Sequence, residues 1–461
     1  MSPSRSGRVV AAAIACTFLA FNTCLAAGAA PPPETLAQAL ASAYANNPTL
    51  NAQRASLRAT DEDVPQALAG FRPTIAAGVS GGITDVGGAQ LRPWAAQITA
   101  TQPLFAGMRN VNGVKAAETA VLAARETLRN TEQSTLLAAV QAFVDLVQAQ
   151  ATLDLQRQNV SFLMQQVKAA SDELDAGEGT RVAVAQTKAS LAAGQASLSV
   201  AVSSLNAAMA AYEQVIGHRP ARLSAAQPVD ALLPKDVSAA LAEAMASHPA
   251  ILAAGYGVDA AGSAVKIAEG ALLPVVSLVG TVTHADGDVT GQSAFGGQLD
   301  SASAIVNLKV PIYSGGGPSS EVRQAKENLG QARIQLDAAR DQVREQTVSA
   351  WGMLDAARSQ ITAAQSEVSA QSLVLSGTIE ALKVGQSTTL DVLNAQQTLL
   401  SARVALVSAQ HDQVVASYTL LADIGRLNAE ALGLKVALYD PTRHYSLVRD
   451  SWAGLRTPDG R

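Results

Sequence analysis

Two long stretches of this chain carry no proline: none lies between Pro103 and Pro220, and none between Pro318 and Pro441. Proline breaks helix interiors, so such lengths point to helices far longer than those of an ordinary globular domain. The order of features around them repeats. "NNPTL" at Asn46 returns as "SHPAI" at Ser247, and "GFRPTI" at Gly70 returns as "ALLPVV" at Ala271. Pro48 maps to Pro249 and Pro73 to Pro274, both with an offset of 201. "QPLFAG" at Gln102 matches "VPIYSG" at Val310, Phe143 matches Trp351, and Gly177 matches Gly385, all offset by 208. The chain is a tandem duplication with about seven extra residues in the second copy between Pro274 and Pro311.

The composition fits long helices better than a broad core. Hydrophobic residues make up 48%, much of it alanine, and aromatics only 4%, which is too few large side chains for a sizeable globular interior. The helical runs carry a heptad seam: Val322, Leu329, Leu336 and Val343, continued by Ala350, Ala357 and Ala364, with Ala325, Ala332 and Ala339 beside it. Val114, Val121 and Leu128, with Ala117 and Ala124, take the equivalent places in the first copy. Alanine on a seam lets helices approach closely. The run from about residue 108 to 174 predicts a helix of roughly 100 Å.

Each copy also predicts two strands. Ala304, Val306, Leu308, Val310 and Ile312 alternate with Ile305, Asn307, Lys309 and Pro311; Ala96, Ile98, Ala100 and Leu104 alternate with Gln97, Thr99 and Thr101. One face is apolar and the other largely polar over about ten residues, which suits a barrel strand between lipid and water, or a half-buried strand of a soluble sheet. Residues 1–29 read as a secretory signal, with Arg5 and Arg8 before the apolar residues 9–20 and cleavage after Ala26 or Ala29. That leader shifts the reading toward the membrane. No other run is apolar and long enough for a transmembrane helix. Four strands cannot close a barrel, and an open edge is not tolerated in lipid. Two chains would pool about eight strands around a filled lumen, and three about twelve around a wet one, so a homotrimer is the smallest assembly that closes and conducts.

The expected organisation is therefore a leader at 1–29, a first repeat at 30–217, a linker at 218–235, a second repeat at 236–428 and a tail at 429–461. The fold class is α+β membrane protein, with long helical hairpins and four strands per chain. Cys16 and Cys24 both fall in the leader, and neither "AIAC" nor "FNTC" suits a lipid anchor, so the mature chain is expected to hold no disulfide, thiol metal site or acyl group. The net charge is −5, and the leader contributes two arginines without an acid, so nothing basic enough for nucleic acid remains. His218, His248, His284, His411 and His444 are scattered without ligand spacing, "SGGGPSS" at Ser314 lacks the Lys-Ser/Thr end of a phosphate loop, and no catalytic set appears. No cofactor, no metal and no enzymatic activity are expected. The tail beginning "PTRHYSLVRDSWAG" leaves the helical pattern, and two arrangements stay open for it: wrapped round the middle of the molecule, or disordered.

In order and spacing the chain resembles the TolC family of outer-membrane export channels across about residues 35–428. The stretches that carry the likeness are "LAQALASAYANNPTLNAQRA", "QPLFAG", "GEGTRVAVAQTKASLAAGQASL", "AYEQVIGHRP" and "LKVGQSTTLDVLNAQQTLLSARVAL". The resemblance implies a homotrimer with a twelve-stranded barrel in outer-membrane lipid and a twelve-helix tunnel across the periplasm. It also implies a periplasmic adaptor and an inner-membrane transporter as partners. "VIGHRP" looks closer to members serving type I protein secretion, which would mean an ABC transporter and an exported repeat-containing toxin as cargo; multidrug efflux is the alternative.

The two glycine turns, "LDAGEGT" and "LKVGQSTT", are expected at the inner tip. Gly177 and Gly385 suit a left-handed helix end, and Thr180 and Thr388 suit the following N-caps. The tips are at once plain hairpin geometry and the candidate adaptor-docking rim. Asp391 stands three residues after Thr388, where a carboxylate completes a capping box. By resemblance it also forms an acidic ring at the narrowest point, weakened here because Asn394 stands where the family has a second carboxylate. The family's closing links fall on Leu382, Ser387 and Ala183, which cannot make them. Asp175, Glu178, Arg181 and Lys383 are the charges left for a different latch.

Overall fold

A computed structural model describes residues 33–289, 297–458 and 460. The leader, with Cys16 and Cys24, lies outside the described residues. The first repeat runs α1 (Leu36–Asn46), α2 (Pro48–Asp61), α3 (Asp63–Ala69), β1 (Thr74–Gly81), β2 (Thr84–Val86), β3 (Ala89–Ala106), α4 (Arg109–Asp175) and α5 (Arg181–Ile216). The second runs α6 (Val237–Ser247), α7 (Pro249–Gly270), β4 (Val275–Val289), β5 (Gly297–Lys309), α8 (Gly317–Lys383) and α9 (Thr389–Asp423), followed by α10 (Arg443–Val448). The duplication is visible in detail: α4 and α8 are each 67 residues long. Asn47 and His248 both cap a helix that starts with proline, through side chains accepting from backbone N–H groups.

The strands form one antiparallel sheet in the order β1-β3-β4-β5, with short β2 beside β3. Directly opposed residues share a face. Ala77 faces Ile98, Ile98 faces Val282, and Val282 faces Ala302; Ile75, Ala100, Gly280 and Ala304 form the next row. The alternate face carries rows such as Thr99, Thr281 and Ser303. The apolar residues of the four strands therefore share one face over these central rows, interrupted by Gln102 opposite Leu278 and by the His284–Asp300 pair, and its large side chains are exposed, Val79 at 81% and Val306 at 63%. The sheet stays open at β1 and at β5. β3, with 18 residues, and β4, with 15, outrun the expected ten, whereas β1 has 8. β5 instead stops at Lys309, so Val310 and Ile312 lie beyond it. Pro311 has no N–H to give a ladder, whereas Pro103 of β3 is accommodated at a register shift before Phe105.

Every large or small seam residue named from the heptad pattern is buried or half-buried, with Val121, Val343, Ala350 and Ala357 nearly inaccessible. α4 packs against its hairpin partner α5 and also against α7 and α9, and α8 packs against α7 and α9. Where β3 feeds α4, Gly107 passes Gly270 so closely that a Cβ on either would lie 2.3 Å from the other's carbonyl oxygen. Only glycine fits that joint at the foot of the sheet.

The core sits at mid-length of the long helices. Leu136, Val140, Phe143 and Leu146 of α4 meet Leu40, Leu50 and Leu57, with Tyr212 and Ile216 from the end of α5, Leu420 and Leu421 from the end of α9, and Leu427 just past it. This concentration corrects one expectation. Stretches within Arg109–Asp175 and Val237–Gly270 are long and apolar enough to cross a membrane by composition. The first passes because the equatorial core packs apolar side chains densely there. The second is two helices, divided at His248, whose backbone is extended.

At the edge of this core the Asp423 carboxyl is pushed up to about 6 by burial and by Glu345 beside it. The folded value lies above the ordinary 3.8, so the folded state holds this proton more tightly than the unfolded chain does. The associated stability is present below about pH 4 and is lost as pH rises through about 6. Asp423→Asn is expected to stabilise the detergent-solubilised protein by roughly 1–3 kcal/mol at pH 7.5, with the gain shrinking toward zero near pH 4. Thermal unfolding at the two pH values measures it.

Candidate functional site

The far end of the helical region is made of two hairpin tips. At the first, Gly177 has φ +83 and the Glu178 N–H reaches back to the Glu173 carbonyl at 2.9 Å. At the second, Gly385 has φ +73 and the Gln386 N–H reaches the Ala381 carbonyl at 2.9 Å. Both are helix ends closed by a left-handed glycine and a long backward hydrogen bond. Both returning helices start alike, with Thr180 Oγ1 accepting from the Ala183 N–H at 3.1 Å and Thr388 Oγ1 from the Asp391 N–H at 3.2 Å.

The tips differ in what answers the cap. Asp391 Oδ2 accepts from the Thr388 N–H at 2.8 Å, the Thr388 hydroxyl at 2.7 Å and the Ser387 hydroxyl at 3.1 Å. Ala183 has nothing to offer in return. These bonds, led by the Thr388 hydroxyl, hold the Asp391 carboxyl below its ordinary range, so it stays ionised in mild acid. All three fall on Oδ2. Capping and carrying an accessible charge are therefore compatible roles for one carboxylate.

Asp391 and Asn394 are both exposed and lie one turn apart on α9. They begin a polar stripe that continues through Thr398, Ser401, Ser408 and Asp412 at steps of three, four or seven residues, one face of a helix. An open groove of about 680 Å³ runs beside it, lined by Gln156, Gln360, Glu367, Ser401 and Asp412. Near the equator His411 joins α9 to α4, with Nε2 2.6 Å from Asp145 and Nδ1 2.9 Å from Asp412. The Asp145 carboxylate, opposed by burial, raises the His411 pKa.

The latch candidates do not meet within one protomer. Lys383 pairs with Glu380 in its own helix at 2.7 Å. Among the described residues, no ion pair joins Asp175, Glu178 or Arg181 to another group. Ser387, one of the positions lacking the family's closing link, is spent on Asp391. Sequence reasoning passed over Ser387 as a carboxylate donor, although its place next to the cap residue signalled it. It also passed over Gly179, where a Cβ would lie 2.7 Å from the Leu174 nitrogen.

Against known proteins, the model of the family "Outer membrane efflux protein" matches residues 39–218 and 240–426, one match per repeat. The chain belongs to the outer membrane efflux protein family. Outer membrane efflux protein BepC of Brucella suis biovar 1 is 45% identical over 436 residues, covering 94% of each chain. Outer membrane protein TolC of Escherichia coli is 26% identical, covering 88% of this chain and 86% of its own. In structure, the Campylobacter jejuni CmeC outer membrane channel superposes with a TM-score of 0.75 at 15% identity, covering 90% and 89% of the two chains. VceC of Vibrio cholerae gives 0.72 at 18% identity, covering 85% and 96%. The fold is that of the TolC-like channels, and this family member is a channel protein of the Gram-negative outer membrane, not an enzyme.

The tip geometry gives a direct expectation. Gly385→Ala should cost roughly 1–2 kcal/mol locally, because a Cβ disfavours the left-handed region. Asp391→Ala should speed hydrogen exchange at the Thr388 amide, and Asp391→Asn, which keeps an acceptor oxygen, should restore most of the protection.

Proposed function

We propose that three copies join the β1 edge of one protomer to the β5 edge of the next, closing a twelve-stranded barrel in the outer membrane. The repeats at 30–217 and 236–428 then supply the helices of a periplasmic tunnel, with the linker at 218–235 and the tail at 429–461 on its girth. The observation that carries this reading is the sheet itself: an apolar face in register across four strands, bounded by two unpaired edges. Lipid accepts that face but not those edges. The assembly is a passive exit duct of a tripartite export system, its tips at Gly177, Thr180, Gly385 and Thr388 meeting a periplasmic adaptor linked to an inner-membrane transporter. Three Asp391 carboxylates, with Asn394 one turn on, ring the constriction and favour cations. Asp175, Glu178, Arg181 and Lys383 are available for links between neighbouring protomers.

For cargo, small-molecule efflux is the first reading, because the relative matched along nearly its whole length is named an efflux protein. Type I secretion of a repeat-containing toxin through an ABC transporter is the second. Its support is the likeness at residues 215–220, and those residues have a structural task of their own. Gly217 ends α5 at φ +93, and His218 Nε2 lies 2.9 Å from Glu34.

Purified protein in planar bilayers tests the duct. A trimer by mass that conducts with cation preference is expected, and a monomer that does not conduct defeats the reading. Asp391→Asn should weaken the preference without loss of the trimer. In the unsubstituted channel the preference should persist below the ordinary aspartate range and fade in stronger acid, since the Asp391 pKa is lowered.

A further inference from the structure

The family match ends at residue 426, and residues 427–452 beyond it form a strap. The Tyr439 N–H donates to the Tyr44 hydroxyl at 3.0 Å, and the Arg54 guanidinium stands 4.5 Å from the Tyr44 ring and 5.2 Å from the Tyr439 ring. Farther on, His444 Nδ1 meets the buried Asp61 at 3.0 Å, Arg125 covers Tyr445, and Arg449 reaches Glu118 at 3.2 Å. Partners on the first repeat advance from Tyr44 to Arg54 to Asp61, and those on α4 retreat from Arg125 to Glu118. Both series lead from the equator toward the sheet, because α3 runs into β1 and α4 begins at the foot of β3.

The strap ends there. Arg72, two residues before β1, donates to the Ser451 carbonyl at 2.6 Å and places its guanidinium 4.6 Å from the Trp452 ring centre. The neighbouring Phe71 carbonyl accepts from Gln102 at 2.9 Å, which ties this turn to the lower end of β3 beside exposed Leu104. Trp452 is 71% exposed and Leu455 fully so. A tryptophan held by Arg72 and, three residues on, a leucine are thus exposed near the lower margin of the apolar sheet face, with Arg449, its partner Asp450 and Arg456 close in sequence.

We propose that the end of the strap is a second membrane contact, with Trp452 and Leu455 seated in the headgroup region of the inner leaflet and Arg456 beside its phosphates, while Arg72 and Arg449 hold the strap in place. The proposal rests on the reading of the sheet as a lipid-facing barrel wall. Continuity with that wall selects lipid as the occupant, and an aromatic ring with flanking arginines is the composition that settles at a membrane interface. Three such straps would fix the girth of the tunnel to the bilayer.

The chain has three tryptophans, so Trp94→Phe with Trp351→Phe leaves Trp452 as the sole emitter. The full-length protein is reconstituted in phosphatidylcholine vesicles with and without bromine near the headgroup end of the acyl chains. Trp452 emission is expected to fall severalfold in the brominated lipid and to resist aqueous iodide. Quenching by iodide and not by bromine overturns the proposal, by showing the ring in water. Resistance to both overturns it too, by showing the ring covered by protein. Trp351→Phe with Trp452→Phe leaves Trp94, on β3, as a reporter of the sheet. Bromine quenching of Trp94 without quenching of Trp452 removes the strap contact alone, whereas quenching of neither removes the barrel reading beneath it.

Discussion

An amide or carbonyl facing hydrocarbon without a partner costs several kcal/mol, and that cost governs this molecule. The four main strands each present an apolar stripe, and antiparallel pairing gathers the stripes on one face. The same pairing leaves β1 and β5 with a row of free backbone groups each. A chain that kept this sheet to itself would satisfy neither lipid nor water. The proposed sharing of this sheet among copies would remove those edges, and the duplication doubles the strands that each chain brings to it.

The largest buried side chains gather at mid-length of α4, where the ends of α5 and α9 meet it. Alanine seams allow close approach along α4 and α8, but the large side chains gather at the equator, where Phe143, Tyr212 and Leu420 are wholly enclosed. The core leaves the tips dependent on local geometry, on glycines, caps and a single carboxylate. It also collects the perturbed titrating groups, His411 between two aspartates and Asp423 beside Glu345. Stability of the middle is therefore sensitive to pH, while the charge at the tip is held ionised by its own hydrogen bonds.

Much of the tip was legible before folding. Thr388 and Asp391 stand at capping-box spacing, and Gly177 and Gly385 at equivalent ends of two copies, because caps and left-handed turns are decided within a few residues. The latch was not legible. Asp175, Glu178, Arg181 and Lys383 are near in sequence, yet Lys383 turns to Glu380 within its own helix. Local spacing says which charges lie close together and not which way a hairpin aims them. The strand ends were misjudged for a related reason: Pro103 is absorbed at a register shift and Pro311 ends its strand, a difference set by the partner strand.

The sequence by itself determined the duplication, the length of the helices, the alternation of the strands and the chemistry of the two turns. Each depends on residue order over distances the backbone reads locally. Only the tertiary structure decided that the apolar stripes align across both repeats, and that His411 bridges α9 to α4. It alone raised the tail from Tyr439 to Trp452 as a strap. Those features join residues hundreds of positions apart, as Arg72 and Ser451 are, and such pairs exist only once packing has chosen which faces meet.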